Sequence, residues 1–296
     1  MAVDRVKYGE LVDAAISKLG EFGPLVELDS SSLKGVDKVV VLGDLHGDID
    51  SLQVILNVFQ PGKYLYIALG DYVDRGDYQV ETLGEVLKLF LSGTLIPLRG
   101  NHESYVMNEA YGFLEQAYLK LGSRLTLKIT HELFPKLPYA LILTTRSGDR
   151  ILMLHGGLAK GLNTVDDFKR LKMGDEEPSD EVAFQVLWND PDDEVVGFVD
   201  SPRGPGAYLF GPDVTKSFTS RNNVKIIVRG HSYISEGVHL FHNGLIVSLF
   251  TSSSGPYIGS KPKALIINVN DGSLKVFDVL SGKLNDIRQA SNSKAS

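Results

Sequence analysis

The sequence predicts one mixed α/β domain, parallel in its first half and antiparallel in its second. Three observations carry that expectation. Apolar runs at 36–42, 64–69 and 94–98 alternate with stretches of helical periodicity, and a β-α-β-α-β order places strands parallel through right-handed crossovers. From Leu137 onward, short apolar runs flank Ser147-Gly148-Asp149, Asn243-Gly244 and Asn270-Asp271-Gly272, which are tight-turn sequences joining antiparallel neighbours. Polar, glycine-bearing loops follow the apolar runs, at the strand ends where α/β proteins bind ligands.

The length of 296 residues can bury a large core, and no repeat or long linker divides it. Apolar content of 43% and charged content of 23% are those of a globular protein. A net charge of −7 argues against general nucleic-acid affinity, which needs clustered Lys and Arg. The absence of cysteine excludes disulfides, thiolate metal sites and a Cys nucleophile. No apolar run approaches the roughly 18 residues of a membrane span, and no signal-peptide core opens the chain. The expectation is a cytoplasmic, monomeric protein with neither membrane nor nucleic acid as partner. It has one domain over 1–290, a helical segment over about 1–35, and a disordered tail at 291–296.

Val6, Leu11, Val12, Ala15, Ile16 and Leu19 recur at helical spacing, predicting a helix from 4 to about 22 that ends near Gly23-Pro24. Ser30-Ser31-Ser32 reads as a connector. Val36 to Leu42 is nearly all apolar, as a strand buried on both faces would be. A helix follows Asp48 or Asp50 as N-cap and carries Ile49, Leu52, Ile55, Leu56 and Phe59 on one face. Pro61-Gly62 breaks it. A strand over Tyr64–Leu69, a helix over Gln79–Leu91, a strand over Thr94–Leu98 and further helix to about Leu121 complete the parallel half. A hairpin over Tyr139–Leu154 precedes a mostly polar stretch whose acidic run, Asp175-Glu176-Glu177, reads as a solvated face. Trp188 to Gly206 reads as irregular. The strand Val224–Val228 and two hairpins close the domain.

Five strand-end loops bear metal-competent side chains: Asp44 and His46, Asp71 and Asp74, Asn101 and His102, His155, and His231. Four of the seven histidines fall there, whereas His131, His239 and His242 do not and read as surface or core residues. Mixed imidazole and carboxylate ligands suit manganese, iron or zinc better than magnesium or calcium. Three histidines, two aspartates and an asparagine amide suffice for two ions, with one aspartate shared. Two such ions about 3.5–4 Å apart can clamp both oxygens of an in-line displacement. Arg75 and Arg203 can hold a phosphoryl group bidentately. This is the chemistry of phosphoester hydrolysis.

Gly43-Asp44-Leu45-His46-Gly47, Gly70-Asp71-Tyr72-Val73-Asp74-Arg75-Gly76, Gly100-Asn101-His102-Glu103, His155-Gly156-Gly157 and Arg229-Gly230-His231 together resemble the PPP family of metal-dependent Ser/Thr protein phosphatases. The motifs stand in the family's order from residue 39 to about 260. The resemblance implies the calcineurin-like metallophosphoesterase fold, an α/β architecture with a central β-sandwich of mixed sheets flanked by helices. It implies that Asp44, His46 and Asp71 hold one divalent ion, and that Asp71, Asn101, His155 and His231 hold the other. The ions would be manganese in vitro, with iron or zinc as alternatives. A hydroxide bridging the metals would attack directly, with His102 as general acid oriented by Asp74. Arg75, Arg203, Asn101 and His102 would contact the phosphate. Phosphorylated proteins are the implied substrates, with regulatory partners unidentified.

Tyr72, Trp188-Asn189-Asp190-Pro191 and the stretch Arg203 to Gly211 resemble the protein phosphatase branch more than the dinucleoside polyphosphate hydrolases, the alternative on the same site. Trp188 itself reads as a core tryptophan. The chain departs from the family at Ser252 to Gly259, where the eukaryotic enzymes carry a Ser-Ala-Pro-Asn-Tyr-Cys-Gly-like loop. Here Pro256 is shifted and no cysteine follows, and Tyr257 takes the expected tyrosine position beside the phosphate. A non-enzymatic scaffold fits less well, since every expected ligand and His102 are present.

Overall fold

The computed structural model describes residues 3–29 and 31–288; the tail expected at 291–296 lies outside them. Helix α1 (Arg5–Leu19) leads into β1 (Leu25–Leu28), β2 (Lys38–Leu42), α2 (Ile49–Val58), β3 (Leu65–Ala68), α3 (Gln79–Leu91) and β4 (Leu95–Pro97). Next come α4 (Tyr105–Tyr111), α5 (Phe113–Leu121), α6 (Ser123–Lys128), β5 (Ala140–Thr144), β6 (Arg150–Leu154) and α7 (Glu181–Trp188). Three short strands, β7 (Asp190–Pro191), β8 (Phe198–Asp200) and β9 (Tyr208–Phe210), make a small sheet before α8 (Pro212–Asn222). The chain closes with β10 (Val224–Arg229), β11 (Val238–Phe241), β12 (Ile246–Leu249), β13 (Lys263–Asn268), β14 (Leu274–Asp278) and β15 (Leu284–Asp286).

Two six-stranded mixed sheets result, ordered β1-β5-β6-β10-β12-β11 and β15-β14-β13-β2-β3-β4. Strands β2, β3 and β4 run parallel, as do β6, β10 and β12. The period of two along each strand sorts side chains between layers. Val39, Val41 and Ile67 meet Leu141, Met153 and Val228 between the sheets, while Val40, Leu42 and Tyr66 face α1, α2 and α3. On the far side, Ile142, Leu152 and Ile227 bury Val186 of α7 and Phe218 of α8. This is the α/β fold with a central sandwich of mixed sheets that the resemblance implied.

The segment expected to be helical over about 1–35 is so only from Arg5 to Leu19, where Gly20 caps it. Leu25–Leu28 instead pairs as an edge strand with β5, four residues being too short to show periodicity. Val6 faces solvent rather than the core. Helix α7 lies in the stretch read as polar, and α8 lies between Gly206 and Val224, where no element was expected. Asp180 caps α7 by accepting from the Val182 and Ala183 amides, and Pro212 opens α8, a position where its missing N–H costs nothing.

The acidic run at 175–177 has solvated side chains at Glu176 and Glu177, but its backbone closes over the site loops. Arg99 is wholly buried. Its guanidinium donates to the carbonyl of Glu103 at 3.2–3.3 Å, to that of Asp175 at 3.0 Å, and to that of Glu176. Glu177 accepts from the Ser104 hydroxyl. An orphaned buried polar group costs about 1–3 kcal/mol, so Arg99→Leu is expected to lower stability by roughly 2–4 kcal/mol. Urea unfolding measures this; an unchanged midpoint would mean that the carbonyls find water.

Candidate active site

The loops after β2, β3 and β4 of one sheet and after β6 and β10 of the other open on the same edge of the sandwich. A bridge between Asp44 and Phe250 joins the two sheets there, and the Asp44 carboxylate accepts the His231 amide at 2.7 Å. His46, Asp71, Asp74, Arg75 and His231 have φ between +42° and +73°. They are five of the eight non-glycine residues with positive φ among the described residues. Such backbone costs about 1–3 kcal/mol per residue and gathers at functional sites. Two glycines make the crowding possible. A Cβ on Gly70, whose φ is +106°, would lie 2.4 Å from the Gly100 amide nitrogen, and one on Gly100 would lie 2.2 Å from Asp71 Oδ1.

The imidazoles are oriented from behind. The carbonyls of Val73 and Leu69 face Nδ1 of His46 and His155 at 2.8 and 2.9 Å. A carbonyl only accepts, so each Nδ1 carries the hydrogen and each Nε2 presents a lone pair to the site. His46 Nε2 then lies 3.5 Å from Asp71 Oδ2 and 3.9 Å from Asp44 Oδ2. His155 Nε2 lies 2.9 Å from Asn101 Oδ1 and 3.3 Å from Asp71 Oδ1. His231 Nδ1 faces the same Asn101 oxygen at 2.7 Å, while its buried Nε2 has no hydrogen-bond partner among the described residues. In the neutral rings of His46 and His155, acceptors thus face acceptors, an arrangement that a cation or an added proton relieves. Two groups, His46–Asp71–His102 and Asp71–His155–His231, bring their ligand atoms within 4.8 Å, and Asp71 belongs to both. The donor set therefore fits divalent ions. Asp44, whose Oδ2 lies 3.9 Å from His46 Nε2, belongs to neither of these groups.

Electrostatics match this crowding. Burial and the Asp71 charge push the Asp44 carboxyl up to about 7. Burial also works against the Asp71 carboxylate, but the imidazoles of His155, His102 and His46 outweigh it and hold its pKa well below the usual range. Burial and His102 bring His46 down to about 3, and burial keeps His231 neutral. For His102 and His155, the Asp71 carboxylate overcomes burial and raises the pKa. Carboxylates this close separate in pKa because both cannot ionise freely.

His102 Nδ1 lies 2.7 Å from Asp74 Oδ2. Asp74 also accepts from Asn108 Nδ2 and the Phe113 amide, both at 3.0 Å. With Nδ1 so engaged, Nε2 is the atom His102 can offer a substrate. Arg75 is exposed, with its guanidinium 3.7 Å from the Tyr111 ring centre. Tyr257 stacks on His46 at 5.3 Å. Arg203 uses Nε and Nη2 to pair with Asp190, which also takes Arg229 Nη2 at 2.9 Å and the Ser232 hydroxyl at 2.7 Å. Trp188 is half-buried, stacked on Phe184 and edge-on to His231 at 5.7 Å. Of the expected site residues, Asp44, His46, Asp71, Asp74, Asn101, His102, His155 and His231 are brought together, Tyr257 lies against them, and Arg75 and Arg203 stand at the rim.

Sequence reasoning gave no role to Glu103, Asn108 or Asp190. The Glu103 carboxylate accepts the amides of Asp71 and Gly100 at 2.8 Å and of Tyr72 at 2.9 Å. Burial and the Asp71 charge push its pKa up to about 7, opposed by these amides. All three facing groups are donors, which is what an ionised carboxylate requires. Its place beside His102 was the available signal. Asn108 had none, because only the fold brings it back to Asp74.

A match to the calcineurin-like phosphoesterase family spans residues 37–235. Among solved structures, the chain is similar to a protein serine/threonine phosphatase from Saccharomyces cerevisiae, at 27% identity, covering 96% of this chain and 90% of that one, with a TM-score of 0.83. It shares its fold with a cold-active protein-tyrosine phosphatase from a psychrophilic Shewanella, at 17% identity, covering 90% and 82% of the two chains, with a TM-score of 0.55. The chain is thus a member of the calcineurin-like phosphoesterase family, built on the PPP-phosphatase pattern of motifs.

Proposed function

We propose that this phosphoesterase hydrolyses phosphoserine and phosphothreonine esters in proteins. The observation that carries the reading is the 2.7 Å pair of His102 and Asp74 beside the shared carboxylate Asp71. A serine or threonine alkoxide is a poor leaving group and needs a proton as the P–O bond breaks. His102, held by Asp74 and with its pKa raised by neighbouring carboxylates against burial, is an acid suited to that need. Pyrophosphate cleavage has a better leaving group and needs such an acid less. The likeness to the yeast phosphatase supports the same substrate class.

Asp44, His46 and Asp71 would hold one divalent ion, and Asp71, Asn101, His155 and His231 the other. Such ions neutralise phosphoryl charge and lower the pKa of water. The residues do the rest. Arg75, with no carboxylate partner among the described residues, and Arg203 grip phosphate oxygens at the rim, Asn101 helps orient the ester, and His102 Nε2 gives its proton to the departing oxygen. Tyr257 lines the approach.

The test is a substrate panel run on chelated and reloaded protein. Chelation is expected to abolish turnover and manganese to restore it, with a phosphoserine peptide preferred over a dinucleoside polyphosphate. Full activity without metal, or preference for the dinucleotide, would overturn the reading. Arg203→Ala is expected to raise KM and weaken phosphate inhibition with metal content unchanged. Unaltered kinetics would remove Arg203 from phosphate binding.

A further inference from the structure

Glu103 is fully buried, yet among the described residues no cationic side chain lies within hydrogen-bonding distance of its carboxylate. A buried carboxylate without a countercharge is costly, so what it holds is informative. Its Oε2 accepts the Asp71 and Gly100 amides, and its Oε1 accepts the Tyr72 amide. Two of these amides belong to the loop after β3 and one to the loop after β4. The tie is returned, for Asp71 Oδ1 accepts the His102 amide at 2.9 Å. Each loop thus contributes a carboxylate that binds the other loop's backbone. Gly100 leaves room for both, since a Cβ there would meet Asp71 Oδ1 at 2.2 Å and Glu103 Oε2 at 2.7 Å.

We propose that Glu103 is a positioning residue, which locks the loop carrying Asp71 to the loop carrying Asn101 and His102 before any ion binds. The proposal rests on the metallophosphoesterase reading of the site. The lock fixes the spacing between Asp71 and Asn101, the oxygen ligands on either side of His155, and so sets affinity for metal rather than affinity for substrate. Glu103 touches neither substrate nor ion; it acts through the Asp71 and Gly100 backbones. Groups that orient ligands from behind are typically worth about 10–100-fold in metal affinity.

Glu103→Gln keeps shape and volume but turns an NH2 group toward one of the three amides. In the folded variant, manganese affinity, read by competition with a chromogenic chelator, is expected to fall about 10–100-fold. At saturating manganese the substrate KM should equal that of the parent, and most of kcat should return. Glu103→Asp, with the charge but a shorter reach, should recover part of the affinity. A folded Gln variant with parental manganese affinity sinks the proposal alone; a parent that takes up no manganese sinks the metal reading and the proposal with it. Should both variants fail to fold, hydrogen exchange on the metal-free parent decides. Slow exchange at the Asp71, Tyr72 and Gly100 amides is expected, and fast exchange there would show that no lock exists before metal arrives.

Discussion

His102→Asn is expected to lower kcat on a phosphoserine peptide by roughly 10²–10⁴-fold, the usual worth of a positioned general acid, without changing metal content. Asparagine can still reach toward Asp74 and fills most of the same space, so the amide bond from residue 102 to Asp71 Oδ1 should persist. What is lost is the proton at Nε2. Loss of a proton donor has a signature that loss of packing lacks. Aryl phosphates with acidic leaving groups should suffer much less than alkyl phosphates, and the penalty should grow with leaving-group pKa. An equal penalty on both would assign His102 to metal binding, which the His46–Asp71–His102 cluster also permits geometrically. An unchanged rate would exclude it from the chemistry.

Asp71→Asn should have the larger effect. The carboxylate faces His46 through Oδ2, and His155 and the His102 amide through Oδ1. Losing its charge removes the group common to both ligand clusters and turns an NH2 toward a ring nitrogen. Metal charge stabilisation is worth several kcal/mol, so kcat/KM is expected to fall by roughly 10³-fold or more, with metal content reduced. Parental metal content would show that Asp71 is not shared. The metal-free protein should respond in the opposite sense. Asp44 and Glu103 are raised to about 7, in part by the Asp71 charge. A carboxyl raised in the folded state holds a proton that the unfolded chain has already released. These two carboxyls therefore lower metal-free stability as pH rises from the usual carboxylate range toward 7, while His46 and His231, held neutral by burial, raise it over the same range. Without the Asp71 charge the carboxyl contribution shrinks, so stability in the Asn variant should rise more, or fall less, with pH than in the parent. Thermal melts across that range measure both slopes.

The strands that set the site were legible because burial on both faces leaves an unbroken apolar run, as in Val39 to Leu42. The loops were legible because glycine recurs with a carboxylate or a histidine at each strand end. Helices α7 and α8 were not. Their polar flanks and neighbouring Gly and Pro hid eight- and eleven-residue elements whose apolar faces gain meaning only against β5, β6 and β10. Three parts of the site that escaped notice act through backbone. Glu103 binds amides, Arg99 binds carbonyls, and Asn108 returns from a helix to the His102 carbonyl as well as to the Asp74 carboxylate. Composition does not encode such contacts, since any residue supplies the backbone partner. Arg203 stood out as a phosphate contact by charge alone, but its pairing with Asp190 depends on a small sheet that no sequence period announced.

The bond from the His231 amide to Asp44 spans 187 residues of chain, and it joins the two sheets at the point where the ligands meet. Contacts of such separation form late, because chain closure must precede any gain from them. No fragment comprising one sheet holds the full ligand set. During refolding, helical signal should therefore recover before high-affinity metal uptake, and an ion that arrives early can meet only half of its cage. The centre is thus a gauge of sandwich closure, and a partly folded chain carries no competent hydrolase.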